Sequence, residues 1–227
     1  MSYRFPFFVL LGTTLLSSIT LAASPNAAPT DPSAYVAVID NPYSPLKPGT
    51  TLVYKGTVDG RRADREFEVT TKTKVVDGVT CLVAEDRVNL GGKPAEKTIA
   101  YYAQDKDGNV WYFGEESQEL DKKGKVTKSE GWLAGTDGAK PNLFMFAHPA
   151  VGDHFKHAYT GGNTEVLKLA ASVDVPFGSF KDALQIKDWN PAEPDVLSHK
   201  FYLKGVGELR DVEVKQQSED IKLVKVQ

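Results

Sequence analysis

AYYAQDKDGNVWYFGEE, residues 100–116, reads as a β-hairpin. Two aromatic runs flank the polar stretch Asp105-Lys106-Asp107-Gly108-Asn109. Asp and Asn side chains bond to their own backbone and tolerate left-handed geometry, and Gly108 has no Cβ to clash there. Tyr101, Tyr102, Trp111, Tyr112 and Phe113 then fall on adjoining strands, where cross-strand ring pairs stabilise a sheet by roughly 0.2–1 kcal/mol each. Both faces of the hairpin carry large rings. One face should meet a core, and the other is free to meet something else.

Upstream, the same grammar repeats. Thr51–Val58 reads as a strand, with Asp59-Gly60 as a turn. Arg65–Val76 alternates, with Phe67, Val69, Thr71, Thr73 and Val75 on one face and Glu66, Glu68, Thr70, Lys72 and Lys74 on the other. Asp77-Gly78 is a second hairpin turn, of a type whose positive φ values match strand twist. Val79–Val88 returns, Gly91-Gly92-Lys93-Pro94 turns, and Ala95–Gln104 leads into the hairpin. The first half is therefore a meander of consecutive antiparallel strands.

Downstream, residues 131–152 break the rhythm with a long apolar crossing that contains Trp132 and Leu143-Phe144-Met145-Phe146. A crossing of this kind suits a cap over an open sheet. Strand patterning resumes from His154 and continues to Val226, with turn signals at Phe177-Gly178 and Gly205-Val206-Gly207. No stretch sustains a helical period; Ser179–Leu184 is the one segment compatible with a helical turn. The expected fold is all-β, a curved antiparallel meander forming an open half-barrel or sandwich, with little helix.

The N-terminus has another character. Arg4, the apolar run Phe5–Leu16 and the small-residue site Thr20-Leu21-Ala22 make residues 1–22 a secretory signal peptide. The run is too short for a transmembrane span. Residues 23–40, rich in Pro, Ala and Ser, are expected as a disordered lead, and 41–227 as a single all-β domain. Loss of Arg4 moves the formal charge from −3 to −4, and the charges are interspersed with no basic patch. That excludes nucleic acid as a partner on electrostatic grounds. The one cysteine, Cys81, rules out an internal disulfide and reads as a small buried hydrophobe.

Three pieces taken together resemble a family of uncharacterised secreted bacterial proteins: Asn41-Pro42-Tyr43-Ser44-Pro45-Leu46-Lys47-Pro48-Gly49, the run Tyr102–Glu115, and Val175-Pro176-Phe177-Gly178-Ser179-Phe180. Val206-Gly207 belongs to the same pattern. The resemblance implies export and an all-β fold, and carries over no catalytic residue. The last third also resembles the strand order of half-barrel envelope proteins such as lipoprotein carriers.

Chemistry-bearing groups are sparse. His148, His154 and His157 are the metal candidates, but a strand points residues three apart to opposite faces, and surface histidines explain them better. Asp105–Asn109 has the look of a calcium-loop start with Glu116 at the twelfth position, yet strand sequence fills the interval. No nucleophile motif, phosphate loop or dinucleotide fingerprint occurs, and neither a metal nor a cofactor is expected. Glu115, Glu116 and Glu119 beside aromatic rings keep a carbohydrate-active hydrolase as an alternative. A structural or interaction protein of the envelope is another. The reading best supported is non-catalytic: a periplasmic or extracellular protein binding a lipid or other apolar or amphipathic molecule. The expected ligand-binding residues are Tyr101, Tyr102, Trp111, Phe113, Trp132 and Phe144.

Overall fold

A computed structural model describes residues 27–36 and 38–227; the expected signal peptide lies outside the described residues. Asp-Gly pairs set the first turns as expected: Asp59 and Gly60 have φ of 48° and 69°, Asp77 and Gly78 of 49° and 77°. Both residues of each turn are left-handed, the geometry that joins twisted strands in two residues.

The strands of the first half are β1 (Tyr35–Val36), β2 (Thr51–Val58), β3 (Arg61–Val76), β4 (Val79–Leu90), β5 (Lys93–Asp105), β6 (Val110–Leu120), β7 (Val126–Leu133) and β8 (Asn142–Met145). Those of the second are β9 (His154–Lys156), β10 (Asn163–Val175), β11 (Gly178–Asn190), β12 (Glu193–Leu203), β13 (Gly207–Glu213) and β14 (Glu219–Val226). They form one antiparallel sheet in the order β7-β6-β5-β4-β3-β2-β14-β13-β12-β11-β10-β9, with β1 added to β5 and β8 to β6. Each half is a meander, and the two are joined where β14 pairs with β2. Ser179–Leu184, compatible in sequence with a helical turn, is part of β11. It pairs with β10, Ser179 opposite Asp174, Phe180 opposite Val173 and Ala183 opposite Ala171.

The sheet is open and curved. Strands lie about 4.8 Å apart, so the ends of this twelve-strand path would be roughly 50 Å apart if it were flat. Yet Trp132 of β7 stacks on Tyr159, in the loop between β9 and β10, with ring centroids 4.9 Å apart. The edges meet through side chains and a loop, without a closing ladder. The backbone amide of Ala158 also donates to Asn142 Oδ1 of β8 at 2.6 Å.

Three cores result. One joins Val69, Leu82, Ala84 and Tyr102 to Leu184, Ile186 and Tyr202 across the curve. A second fills the β2–β14 region around Tyr54, Leu209, Ile221 and Leu223. The third lies on the other face of β4–β6, where Cys81, Val83, Tyr101, Trp111 and Phe113 are covered by Ala134, Leu143, Phe155 and partly by Tyr35. This third core changes the expected facing of β3. Val75, expected inward, is 65% exposed, whereas Val76 and Val79 are buried. A bulge between Val69 and Thr73 precedes the change. Beyond it, the covered face is the opposite one.

Order also begins earlier than expected. Within the stretch read as a disordered lead, Pro32–Ala34 forms a 3-10 turn capped by Asp31. Tyr35 and Val36 then pair with Asp105 and Gln104, and the Tyr35 ring meets Phe113 edge-on at 5.2 Å. The Asn41-Pro42-Tyr43 motif follows as a strap. Asn41, 1% exposed, donates from its amide to the carbonyls of Gly108 and Phe146 at 2.9 and 3.0 Å. Its Oδ1 accepts from the Tyr43 and Ser44 amides at 3.0 and 3.1 Å. The Pro42 carbonyl accepts from the Gly205 amide at 2.7 Å, tying the strap to the β12–β13 turn.

Candidate functional site

Curvature leaves a cavity of about 800 Å³ inside the sheet, walled by strands from both halves and by Ser44, Pro45 and Leu46 of the strap. That volume falls in the range of small-molecule sites.

One wall is aromatic. Tyr102 of β5 lies 5.0 Å from Tyr112 of β6 and 5.1 Å from Phe144 of β8, and Phe67 of β3 meets it edge-on at 6.4 Å. Tyr112 reaches Trp132 at 5.7 Å. These rings share a face because alternate strand residues do, and a bulge at Phe113 aligns Tyr102 with Tyr112 while Tyr101 pairs with Gly114. Gly114 has φ 128°, and a Cβ there would stand 2.1 Å from the Trp132 carbonyl oxygen. Only glycine lets β7 approach closely enough to set Trp132 against the wall.

The rest of the lining is charged. Arg65 of β3 holds Asp86 of β4 (Nε–Oδ2 2.8 Å) and Glu208 of β13 (Nη1–Oε1 3.0 Å), and its guanidinium carbon lies 5.2 Å from the Tyr54 ring centroid. Lys200 of β12 lies between Asp188 (3.1 Å) and Asp211 (3.5 Å). Burial disfavours its charge, but Asp211 and Asp188 outweigh that and hold the ammonium well above its ordinary pKa. Asp211 is also pushed up, to about 6, by burial against the pull of Lys200. Buried ion pairs of this kind cost desolvation and contribute little net stability. Their value is in what they present to the cavity.

Among the described residues, two lining carboxyls have no cation beside them. Glu96 of β5 accepts from the hydroxyls of Thr98 (3.0 Å) and Ser117 (3.1 Å), and Glu115 of β6 accepts from Tyr112 Oη at 2.6 Å. Burial raises both pKa values, and the charge of Glu96 adds to the effect at Glu115. Trp132 Nε1 is buried with no hydrogen-bond partner among the described residues.

The six ligand-binding residues expected from sequence divide by strand parity. Tyr102, Trp132 and Phe144 line the cavity. Tyr101, Trp111 and Phe113 lie in the core on the opposite face. Glu115 lines the cavity, while Glu116 points outward, bound to Lys74 Nζ at 2.6 Å and Tyr101 Oη at 2.9 Å. The Asp105 carboxylate is occupied within its own turn: it accepts from the Asp107 and Asn109 amides, Asn109 Nδ2 and Trp111 Nε1 at 2.7–3.0 Å. His157 stacks on Phe155 and faces the Thr164 hydroxyl at 3.0 Å, and burial lowers its pKa. Among the described residues no three His, Cys, Asp or Glu side chains are grouped to hold a metal ion. No helix among them is long and apolar enough to cross a membrane.

Sequence reasoning missed Arg65, Asp86, Glu96, Tyr112 and Lys200. A signal was present: each shares parity with inward apolar neighbours, as Asp86 does with Leu82, Ala84 and Val88. A charge inside an apolar alternation marks a strand that faces a cavity.

Fold and site define an all-β protein with an internal, part-aromatic, part-charged cavity. No family model matches the sequence, and no curated protein does. Among solved structures, the chain is similar to a Bacteroides fragilis protein described as exported and having a YmcC-like fold: 13% identity, 82% of this chain and 99% of that one, TM-score 0.47. It is also similar to a Parabacteroides distasonis protein described as a lipoprotein: 12% identity, 83% and 100% covered, TM-score 0.45.

Proposed function

We propose that this is an exported, non-catalytic binding protein that holds an amphipathic small molecule inside its sheet. The observation that carries the reading is the cavity itself, whose lining combines apolar side chains with charged ones. Leu46, Leu52, Phe67, Val88 and Phe144 suit an apolar body, and the charged groups of β3–β6 and β11–β13 suit a polar end. Ligand sites are characteristically apolar with a few placed polar groups. A solidly filled interior would have left only a structural role.

The test is titration of the purified protein with N-phenyl-1-naphthylamine, a neutral apolar dye whose emission rises out of water. One saturable site per chain is expected, weakened by Phe144→Ala and abolished by Ser117→Trp, which fills the cavity from β6. Absence of saturable binding in a folded protein would defeat the reading.

The hydrolase alternative retains one observation, the neighbouring Glu96 and Glu115 with raised pKa values. It requires glycan cleavage that Glu115→Gln abolishes; Glu116, outside the cavity, has no part in it.

A further inference from the structure

The charge pattern inside the cavity narrows the ligand class, and the argument rests on the reading of the cavity as an amphipathic site. We propose that the ligand's polar end is cationic, an amine or quaternary ammonium, seated against Glu115 and Glu96 and the faces of Tyr102, Tyr112 and Trp132.

Three cations line the cavity against eight carboxylates. Each cation is already shared between two acids: Arg65 between Asp86 and Glu208, Lys200 between Asp188 and Asp211, Lys128 between Glu119 and Glu130. An anionic head would find no free positive charge and would meet several negative ones. Glu96 and Glu115 are satisfied by hydroxyls alone. Among the described lining residues they are the two acids with no cation beside them.

The rings point the same way. An ammonium within about 6 Å of a Tyr or Trp face is attracted by the ring quadrupole, most strongly where water is excluded. Tyr112 joins the two features physically. Its ring contacts Tyr102 at 5.0 Å and Trp132 at 5.7 Å, and its hydroxyl donates to Glu115. A head placed there has π faces around it and a carboxylate beside it. Independently, Trp132 lines the cavity, is 7% exposed, and its Nε1–H has no partner among the described residues. A buried donor left unpaired is destabilising, and a hydroxyl or ester oxygen near the ligand's ammonium would satisfy it. Burial raises the pKa of both glutamates, and a cation seated beside them offsets that burial without displacing an existing ion pair.

The experiment is calorimetry with three ten-carbon probes differing only in head: decyltrimethylammonium, decanoate and decyl maltoside, all submicellar. The wild type, Glu115→Gln and Glu96→Gln are compared, each checked for an unaltered thermal melt. The ammonium probe is expected to bind at least tenfold more tightly than decanoate, and either glutamine variant to reduce that preference severalfold. Equal or tighter binding of decanoate or the maltoside overturns the cationic assignment and leaves the cavity reading standing. So does an ammonium preference unchanged in both folded variants. Failure of all three probes to bind removes the cavity reading, and this inference with it.

Discussion

Replacing Asp105 by Asn changes one atom of the turn on which the central hairpin depends. In the native turn both carboxylate oxygens are acceptors. Oδ1 takes the amides of Asp107 and Asn109, and Oδ2 takes Asn109 Nδ2 and Trp111 Nε1. An Asn side chain of the same shape presents one oxygen and one NH₂ group. In either orientation two donors face a donor. Hydrogen bonds to charged groups contribute roughly 1.5–3 kcal/mol each, so the expected loss is about 3–6 kcal/mol. Trp111 Nε1 is buried at the head of the third core and has no water to turn to in one of the two orientations. For a domain of this size 1 kcal/mol moves Tm by roughly 2–4 °C, which gives a fall of roughly 6–24 °C. Urea denaturation followed by Trp fluorescence reads the loss directly. Asp107→Asn, at an exposed position in the same turn, is the control and should stay within about 0.5 kcal/mol of wild type. An Asp105→Asn protein within 1 kcal/mol of wild type would refute the reasoning.

Further outcomes follow from the same geometry. Gly114→Ala brings a Cβ to 2.1 Å from the Trp132 carbonyl oxygen at φ 128°; a loss of roughly 3 kcal/mol or more is expected, together with weakened dye binding as β7 is displaced. Cys81 is fully buried, and burial pushes its thiol up to about 12, so a thiol reagent should label it only at the rate of unfolding, with labelling in the native state counting against the fold. Glu219 is pushed up to about 8, first by burial and then by Asp211. A carboxyl raised on folding contributes stability that is full below its ordinary value near 4.5 and lost as pH rises to about 8. Urea midpoints should therefore fall between pH 5 and pH 9, and Glu219→Gln should recover about 1–3 kcal/mol at pH 9; an equal fall in the variant would contradict the assignment.

Local structure was legible in the sequence wherever a turn residue has a unique geometric reason to be there. The Asp-Gly pairs, the Asp105–Asn109 turn and the bounds of β2 needed no tertiary information. What required the structure were consequences of register. Whether Tyr102 stands with Tyr101 or with Tyr112 depends on the bulge at Phe113, and aromatic content alone cannot separate the three rings of the cavity from the three of the core. The outward Val75 has the same cause, since the bulge in β3 comes before a change in which face is covered. The β2–β14 junction joins residues more than 160 positions apart, and no local pattern encodes it. Asn41 shows a further limit of local reading: a motif in a Pro-rich run proves to be the anchor of the strap that walls the cavity. The inward charges at Arg65, Asp86 and Lys200 were visible in the alternation, but they acquire meaning only when β3, β4 and β12 face one another across the curve.

The central claim is that the cavity is occupied in use. Native mass spectrometry of the protein purified from its host's envelope fraction, with lipid extraction alongside, tests it most directly. The expected result is a co-purifying molecule at one per chain, bearing an apolar body, that is lost from Ser117→Trp and retained by Asp107→Asn. A clean unliganded mass at several expression levels, with nothing recovered in the extract, would contradict the account.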